Sequence, residues 1–383
     1  MRRSMPERPA PLVLVTTPLG GQPFGTHAAI AADGQRLLAT DLLRRLGRLG
    51  AAATPLPSVP SSDDAFHWGR WFTAGARAAR AALDAATGPV DAIGYAGGSA
   101  MGLLSDDGLE TLLSPIPGEV VANNRFSADA FVVAGDLDLA LATLEQCETD
   151  NAAPRQLNDA GFSWRDLGAT PWARFDVDTT LDLALLRLAT RLSGTRPLDT
   201  SVRGYLDMAR LPGDRALEVP HLDQLGEVIR DRGAELVVAG RVPGATWQEL
   251  ETEAACRVRG VVEERGMRSA RGGGQTPRSI LAALMALSSP SELVAELARL
   301  GDAVVLDSRV LMASVAGSAD ATAWPPEEER FASDFGDFGR VATPWLRELT
   351  EAAAGASVPF LSGGHALISD GLRLIVAAAW QGR

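Results

Sequence analysis

The apolar positions of this chain fall into short blocks and helical stripes that alternate almost from the start. Leu12 to Val15 is a compact, partly β-branched run closed by Thr16, Thr17, Pro18, Gly20 and Gly21, which predicts a buried strand followed by a loop. From Ala28 to Leu49 apolar residues recur at helical spacing, and Arg44, Arg45 and Arg48 crowd the end, where cations suit a helix C-terminus. A turn-rich stretch from Pro55 to Ser62 leads to Asp63 and Asp64, both good capping types, and to a helix ending near Asp84 in which Trp68 and Phe72 read as core. Val90 to Tyr95 is the next strand and runs into Gly97, Gly98 and Ser99. Ser105 then caps a helix whose first turn carries Asp106, Asp107 and Glu110.

Further strands are predicted at Val120–Val121, Phe131–Ala134 and Trp164–Leu167, with helices at Leu137–Gln146, Ala152–Asp159 and Thr180–Leu192. Strands alternating with helices in this way predict an α/β fold with a doubly wound, mainly parallel sheet. Ligands of such sheets bind beyond the carboxyl ends of the strands. Residues 196–220 have little periodicity and read as a linker between a first domain, 1–195, and a second α/β domain, 221–383. In the second, Leu236–Ala239, Ala303–Leu306 and Val358–Leu361 read as strands. Trp247–Glu264, Pro277–Leu287, Glu292–Leu300 and Leu346–Ala354 read as helices, and Ser314–Gly339 as a long surface loop.

Composition narrows the functions. A length of 383 residues suggests two or three domains, and 46% hydrophobic residues supply ample core. The net charge of −12 argues against nucleic acid or an anionic membrane as partner, since both call for a basic face. No lysine occurs, and all 36 basic residues are arginine, so a phosphate must be met by arginine, backbone N–H groups or a metal. Cys147 and Cys256 stand far apart without ligand spacing, which implies neither structural zinc nor a disulfide framework. The N-terminus has no signal-type segment, and the expectation is a soluble cytoplasmic protein.

The sharpest chemical segment is FDVDTTLDL, residues 175–183. Asp176 and Asp178, two apart on an extended segment, point the same way and could hold Mg²⁺ against phosphates. The alternative is that Asp178 caps the following helix and Asp176 is solvated. Arg70 is a phosphate or substrate contact or a solvated charge. Asn123, Asn124, Ser127 and Asp129 follow a strand, where polar groups orient ligands or make turns. In the second half, Arg265, Arg268, Arg271 and Arg278 surround three glycines ahead of a helix, as an anion site or a solvated loop. His365 follows a strand in SGGH, and a triad of Ser308 or Ser362, Asp307 and His365 can be assembled on paper, without a GxSxG elbow to support it.

FDVDTTLDL resembles the D-[IV]-D-T-P-x-D-L signature that closes the catalytic domain of the MobA-like and phospholactate guanylyltransferase group of nucleotidyltransferases. GGSAMGLLSDDGLETLL (97–113), VVANNRFSADAFVV (120–133) and DNAAPRQLNDAGF (150–162) are similar to the segments that precede it, in the same order. The resemblance covers about 185 residues and implies a sheet of nucleotide-diphospho-sugar transferase type. It further implies a nucleoside triphosphate, Mg²⁺ and a small acceptor as partners. Thr17, Gly20, Gly21, Gly98 and Ser99 would meet the nucleotide, Asp176 and Asp178 the metal, and Asn123, Asn124, Ser127, Asp129 and Arg70 the acceptor. Two positions depart from the pattern. The loop TTPLGGQPFGTH (16–27) has no cation, and the family's metal-binding Asp falls near Ser99 or Ala100. A non-catalytic descendant of the fold is therefore the competing expectation. A glycosyltransferase would want a mid-domain DxD, and Asp136–Asp138 reads instead as a helix start.

Overall fold

The computed structural model describes residues 10–17, 25–56, 67–87, 90–125, 127–167, 170–264 and 277–381. The chain divides into two compact units. One comprises Met1–Gly21, Ala32–Asp176 and Leu198–Val202; the other comprises Gln22–Ala31, Val177–Pro197 and Arg203–Arg383.

The elements up to residue 166 are β1 (Leu12–Thr16), α1 (His27–Arg48), β2 (Ala52–Leu56), α2 (Trp68–Thr87), β3 (Ala92–Ala96), α3 (Asp106–Leu112), β4 (Glu119–Ala122), β5 (Ala130–Ala134), α4 (Leu137–Leu144), α5 (Ala153–Asp159) and β6 (Ser163–Asp166). The six strands form one mixed sheet in the order β2-β1-β3-β5-β4-β6. All pairings are parallel except those of β5, which runs antiparallel to β3 and β4. The reason lies in the connection. Residues 123–129 are too few for a crossover helix, and strands joined that directly must run antiparallel.

Alternation along the strands buries both faces of this sheet. Leu12 and Leu14 face a cluster with Leu56, Phe72, Tyr95 and Phe131, while Val13 and Val15 face Leu42, Leu46, Val121 and Val132. Trp68 stacks on Phe72 with ring centroids 5.0 Å apart, and Tyr95 and Phe131 close on the pair. Strand β2 runs into the stretch that reads as turn-rich, sharing Pro55 and Leu56 with it. It is an edge strand, where the missing N–H of Pro55 is tolerated.

Then follow α6 (Thr180–Ala189), α7 (Thr200–Met208), β7 (Arg210–Leu211), β8 (Arg215–Ala216), α8 (Leu222–Arg230), β9 (Glu235–Gly240), α9 (Gly244–Glu253), β10 (Arg257–Val262), α10 (Ile280–Leu287), α11 (Pro290–Arg299), β11 (Ala303–Asp307), α12 (Ser308–Ala316), α13 (Glu327–Asp334), α14 (Pro344–Ala354), β12 (Phe360–Gly363) and α15 (Leu372–Trp380). Strands β9 to β12 form an all-parallel sheet in the order β10-β9-β11-β12, and the fold is α/β in both units.

Two expectations fail in this half. The helix expected over Trp247–Glu264 ends at Glu253, and Arg257–Val262 is an edge strand in which Val258, Val261 and Val262 favour the extended chain. The expected surface loop 314–339 contains α13, which buries Phe331 to Asp334; its three glutamates load a first helical turn. No single helix among the described residues is long and apolar enough to cross a membrane.

Candidate functional site

Because β5 is reversed, its amino end lies at the same edge of the first sheet as the carboxyl ends of the other five strands. From β1 the chain builds outward to β2, then returns to place β3 on the other side of β1. That reversal makes the carboxyl edge between β1 and β3 a switch point, the place where doubly wound sheets receive ligands. The two strand-end segments meet there. The Gly98 N–H donates to Thr16 Oγ1 at 3.1 Å, and the Gly97 N–H donates to the Asp129 carbonyl at 2.7 Å.

The closing segment is fastened to the same edge. Asp176 pairs with Ala100 in an isolated antiparallel bridge, and the Met101 N–H donates to the Phe175 carbonyl at 3.0 Å. Met101 and Trp172 take left-handed backbone conformations, φ 58° and 63°, costly for side-chain-bearing residues and typical of places where backbone geometry serves a function. Thus Asp176, half-buried, stands beside the position where the family resemblance wants a carboxylate and the chain has Ser99 and Ala100. Of the nearest acidic candidates downstream, Asp107 is exposed and Asp106 is otherwise engaged. Asp106 lies in the first turn of α3, paired at 2.8 Å with the buried guanidinium of Arg45. Arg45, read as a helix-end charge, is in fact among the largest fully buried side chains.

Asp178 belongs to the second unit and is exposed. It is not the helix cap. Thr179 caps α6 in a reciprocal box with Asp182, whose carboxylate accepts from the Asp178 and Thr179 N–H groups. Asp182 is fully buried, and burial first, then the Asp178 charge, pushes its carboxyl up to about 7 against the pull of the Thr179 hydrogen bonds.

The other expected residues are placed as follows. Gly20, Gly21, Arg265, Arg268 and Arg271 lie outside the described residues. Thr17 is half-buried just after β1, Gly98 is buried, and Ser99 is half-buried. Asn123 is wholly buried, and its amide is fully engaged. Nδ2 donates to Asp129 Oδ2 and the Ala173 carbonyl, while Oδ1 accepts from the Asp129 and Ala130 N–H groups. It fastens the β4–β5 connection to the closing segment. Asn124 is half-buried beside it, and the exposed Ser127 donates to Asn151 Oδ1. Arg70 is exposed on α2; Arg77 first, and Arg70 more weakly, hold Glu145 below the usual carboxylate range.

The sequence reading missed Arg125. Its guanidinium lies 4.2 Å over the Trp164 ring and donates to Asn158 Oδ1, so it is held between the first half of β6 and the end of α5, level with Val120 of β4. The signal was its position directly after Asn123 and Asn124 at a strand end. Among the described residues no three His, Cys, Asp or Glu side chains are grouped as a protein-only metal cage would require. Mg²⁺ at a phosphate site needs fewer, because one or two carboxylates share it with phosphate oxygens and water.

In the second unit, His365 is exposed just past β12. Of the paper triad, Ser362 is buried in β12, and Asp307 and Ser308 have partners of their own. Asp307 is committed to Arg241 and to the Arg309 N–H, and the Ser308 hydroxyl donates to the Gly363 carbonyl while accepting from Arg309. Cys147 and Cys256 are buried free thiols. No protein-family model matches the chain, and no curated protein matches it significantly.

Proposed function

We propose that the first unit binds a nucleoside triphosphate at the carboxyl edge of its sheet and, with Mg²⁺, transfers the nucleoside monophosphate to a small acceptor. The observation that carries this reading is the meeting of three segments at the carboxyl edge between β1 and β3. The Gly98 N–H is held on Thr16, and Asp176 is held opposite Ala100. Edges of this kind are where doubly wound sheets receive ligands, and the segments that meet are those resembling the MobA-like nucleotidyltransferases. In this reading Thr17 and the Gly98–Ser99 backbone face the phosphates. Asn124, Ser127 and Asp129 face the acceptor, while Asn123 holds that connection in shape. Asp176 suits Mg²⁺, a hard ion that prefers carboxylate oxygen. Bound there, the ion would offset negative charge on the phosphates.

A second reading, nucleotide binding without transfer, is favoured by one observation: Ser99 stands where a second carboxylate would serve, and Asp106 is spent on Arg45. Both readings meet the same test. Thermal shifts with GTP, CTP, ATP and UTP, each with and without Mg²⁺, are recorded on wild type, Asp176→Asn and Asp178→Ala. A ligand well above its Kd raises stability by a few kcal/mol, about 2.7 at a hundredfold excess. A Mg²⁺-dependent shift with one nucleotide, lost in Asp176→Asn, together with pyrophosphate release on adding acceptors, supports transfer. A shift without Mg²⁺ dependence supports binding alone, and no shift with any nucleotide overturns both.

A further inference from the structure

The second sheet has its own reversal of strand order. From β9 the chain places β10 on one side and then β11 on the other, so the carboxyl ends of β9 and β11 form a switch point, the place where parallel sheets receive ligands. What lines it is unusual for a structural edge. Asp307, the last residue of β11, is wholly buried, and Arg241 grips it with two hydrogen bonds, Nε to Oδ2 at 2.6 Å and Nη2 to Oδ1 at 3.0 Å. Gly240 makes this approach possible. Its φ is +139°, and a Cβ there would overlap the Asp307 side chain. On the other flank Asp307 is in register with Gly363, and the chain passes through Gly364 to His365, where a helix begins.

The charges are arranged in two layers. Arg309, buried beneath, is satisfied by Asp334 in a bidentate pair at 2.6 and 2.7 Å. Burial alone would push the Asp307 carboxyl up; Arg241 first, and then His365, outweigh it and hold the group below the usual carboxylate range. Arg241 keeps 16% of its side-chain surface open, and His365 is exposed. A buried carboxylate that fixes a partly open guanidinium is how a protein pre-organises a cation for a ligand.

We infer that the β9/β11 switch point of the second unit is a binding site for a small oxyanion, a carboxylate or a phosphate ester, met by Arg241 and His365. The site lies within the second unit and does not rest on the nucleotide reading of the first.

Calorimetric titration of the full chain at low salt, with inorganic phosphate and separately with malonate, tests it. The variants are His365→Ala, Gly364→Asp and, in the first unit, Asp176→Asn. His365 is exposed, so His365→Ala is compatible with the fold. Gly364 is buried, and although a Cβ there meets only ordinary contacts, 3.7 Å from Arg309 Nε, the thermal unfolding of Gly364→Asp is recorded beside the titration and only a folded variant is scored. The expected result is one-site binding of one of the two ions, which names the ligand group. Affinity falls at least tenfold in His365→Ala and in Gly364→Asp and is retained in Asp176→Asn. Binding that survives either second-unit variant, that disappears only with Asp176→Asn, or that is seen with neither ion overturns the inference.

Discussion

Gly98 and Thr16 are locked together: the glycine N–H donates to the threonine hydroxyl at 3.1 Å, and a Cβ on residue 98 would run into the Thr16 carbonyl and stand 2.6 Å from Ala39 Cβ. Both obstacles belong to packed elements that cannot retreat, so the smallest enlargement is felt. Gly98→Ala is expected to lower stability by about 1–3 kcal/mol, the usual range for overpacking a close-packed site. Urea denaturation measures it. If the site reading holds, the same variant also weakens the nucleotide-induced thermal shift. A variant as stable as wild type would mean that these two segments are not in the contact described.

Asn123 and its neighbours separate a positioning role from a contact role. Removing the Asn123 amide strands the Asp129 and Ala130 N–H groups and the Ala173 carbonyl in a buried setting. Asn123→Ala should therefore cost about 3 kcal/mol, since each buried polar group left unpaired costs roughly 1–3. Ser127→Ala, at an exposed position, should stay within about 0.5 kcal/mol of wild type. Equilibrium denaturation of the pair decides: equal, small effects would contradict the hydrogen-bonded keystone and return Asn123 to the list of ligand contacts.

These two residues also show how far the sequence could be read. Strands β1, β9 and β11 were legible because each is an uninterrupted apolar run buried on both faces. Strand β10 was not, since Arg257 to Val262 is largely exposed along an edge and lacks that run. Strand β2 was hidden by Pro55, which reads as punctuation until its edge position is known. At the candidate site, residue types were visible and partners were not. Nothing local to Asn123 announces that a backbone carbonyl fifty positions away will claim its amide. Asp176 was singled out, but its pairing with Ala100 exists only after the chain has closed on itself. Arg45 shows the converse, a helix-end arginine whose partners Asp106 and Leu104 come from another segment and bury it.

The pair of Arg309 and Asp334 carries a test of the second unit. Their side chains are 6% and 0% exposed, so losing one partner leaves an uncompensated charge away from water. Asp334→Ala should destabilise by about 3–5 kcal/mol. The double variant Arg309→Met, Asp334→Leu should cost clearly less than the sum of the singles, because apolar groups need no desolvation offset. A double-mutant cycle from denaturation curves supplies the coupling. Strict additivity would show that the two groups do not act as a pair.

The buried carboxyl of Asp182 makes stability depend on pH with a definite sign. In the folded chain it keeps its proton up to about 7, whereas its ordinary value is 3.8. Between those values folding takes up a proton, so this group's contribution is full below about pH 4, declines as pH rises, and is flat above about 7. A shift of that size corresponds to on the order of 4 kcal/mol. His27 acts the other way. Burial lowers its ring to about 4 despite Asp337, so its contribution is present above about 6.5 and is lost as pH falls towards 4. The wild-type curve mixes the two, and Asp182→Asn separates them. The asparagine carbonyl can still accept from the Asp178 and Thr179 N–H groups, yet it does not titrate. Urea midpoints from pH 4 to 8 should show the variant gaining on wild type as pH rises to about 7 and holding that lead beyond it. A difference between the two proteins that is constant with pH would place the Asp182 carboxyl in contact with solvent and remove its proton from the folding equilibrium.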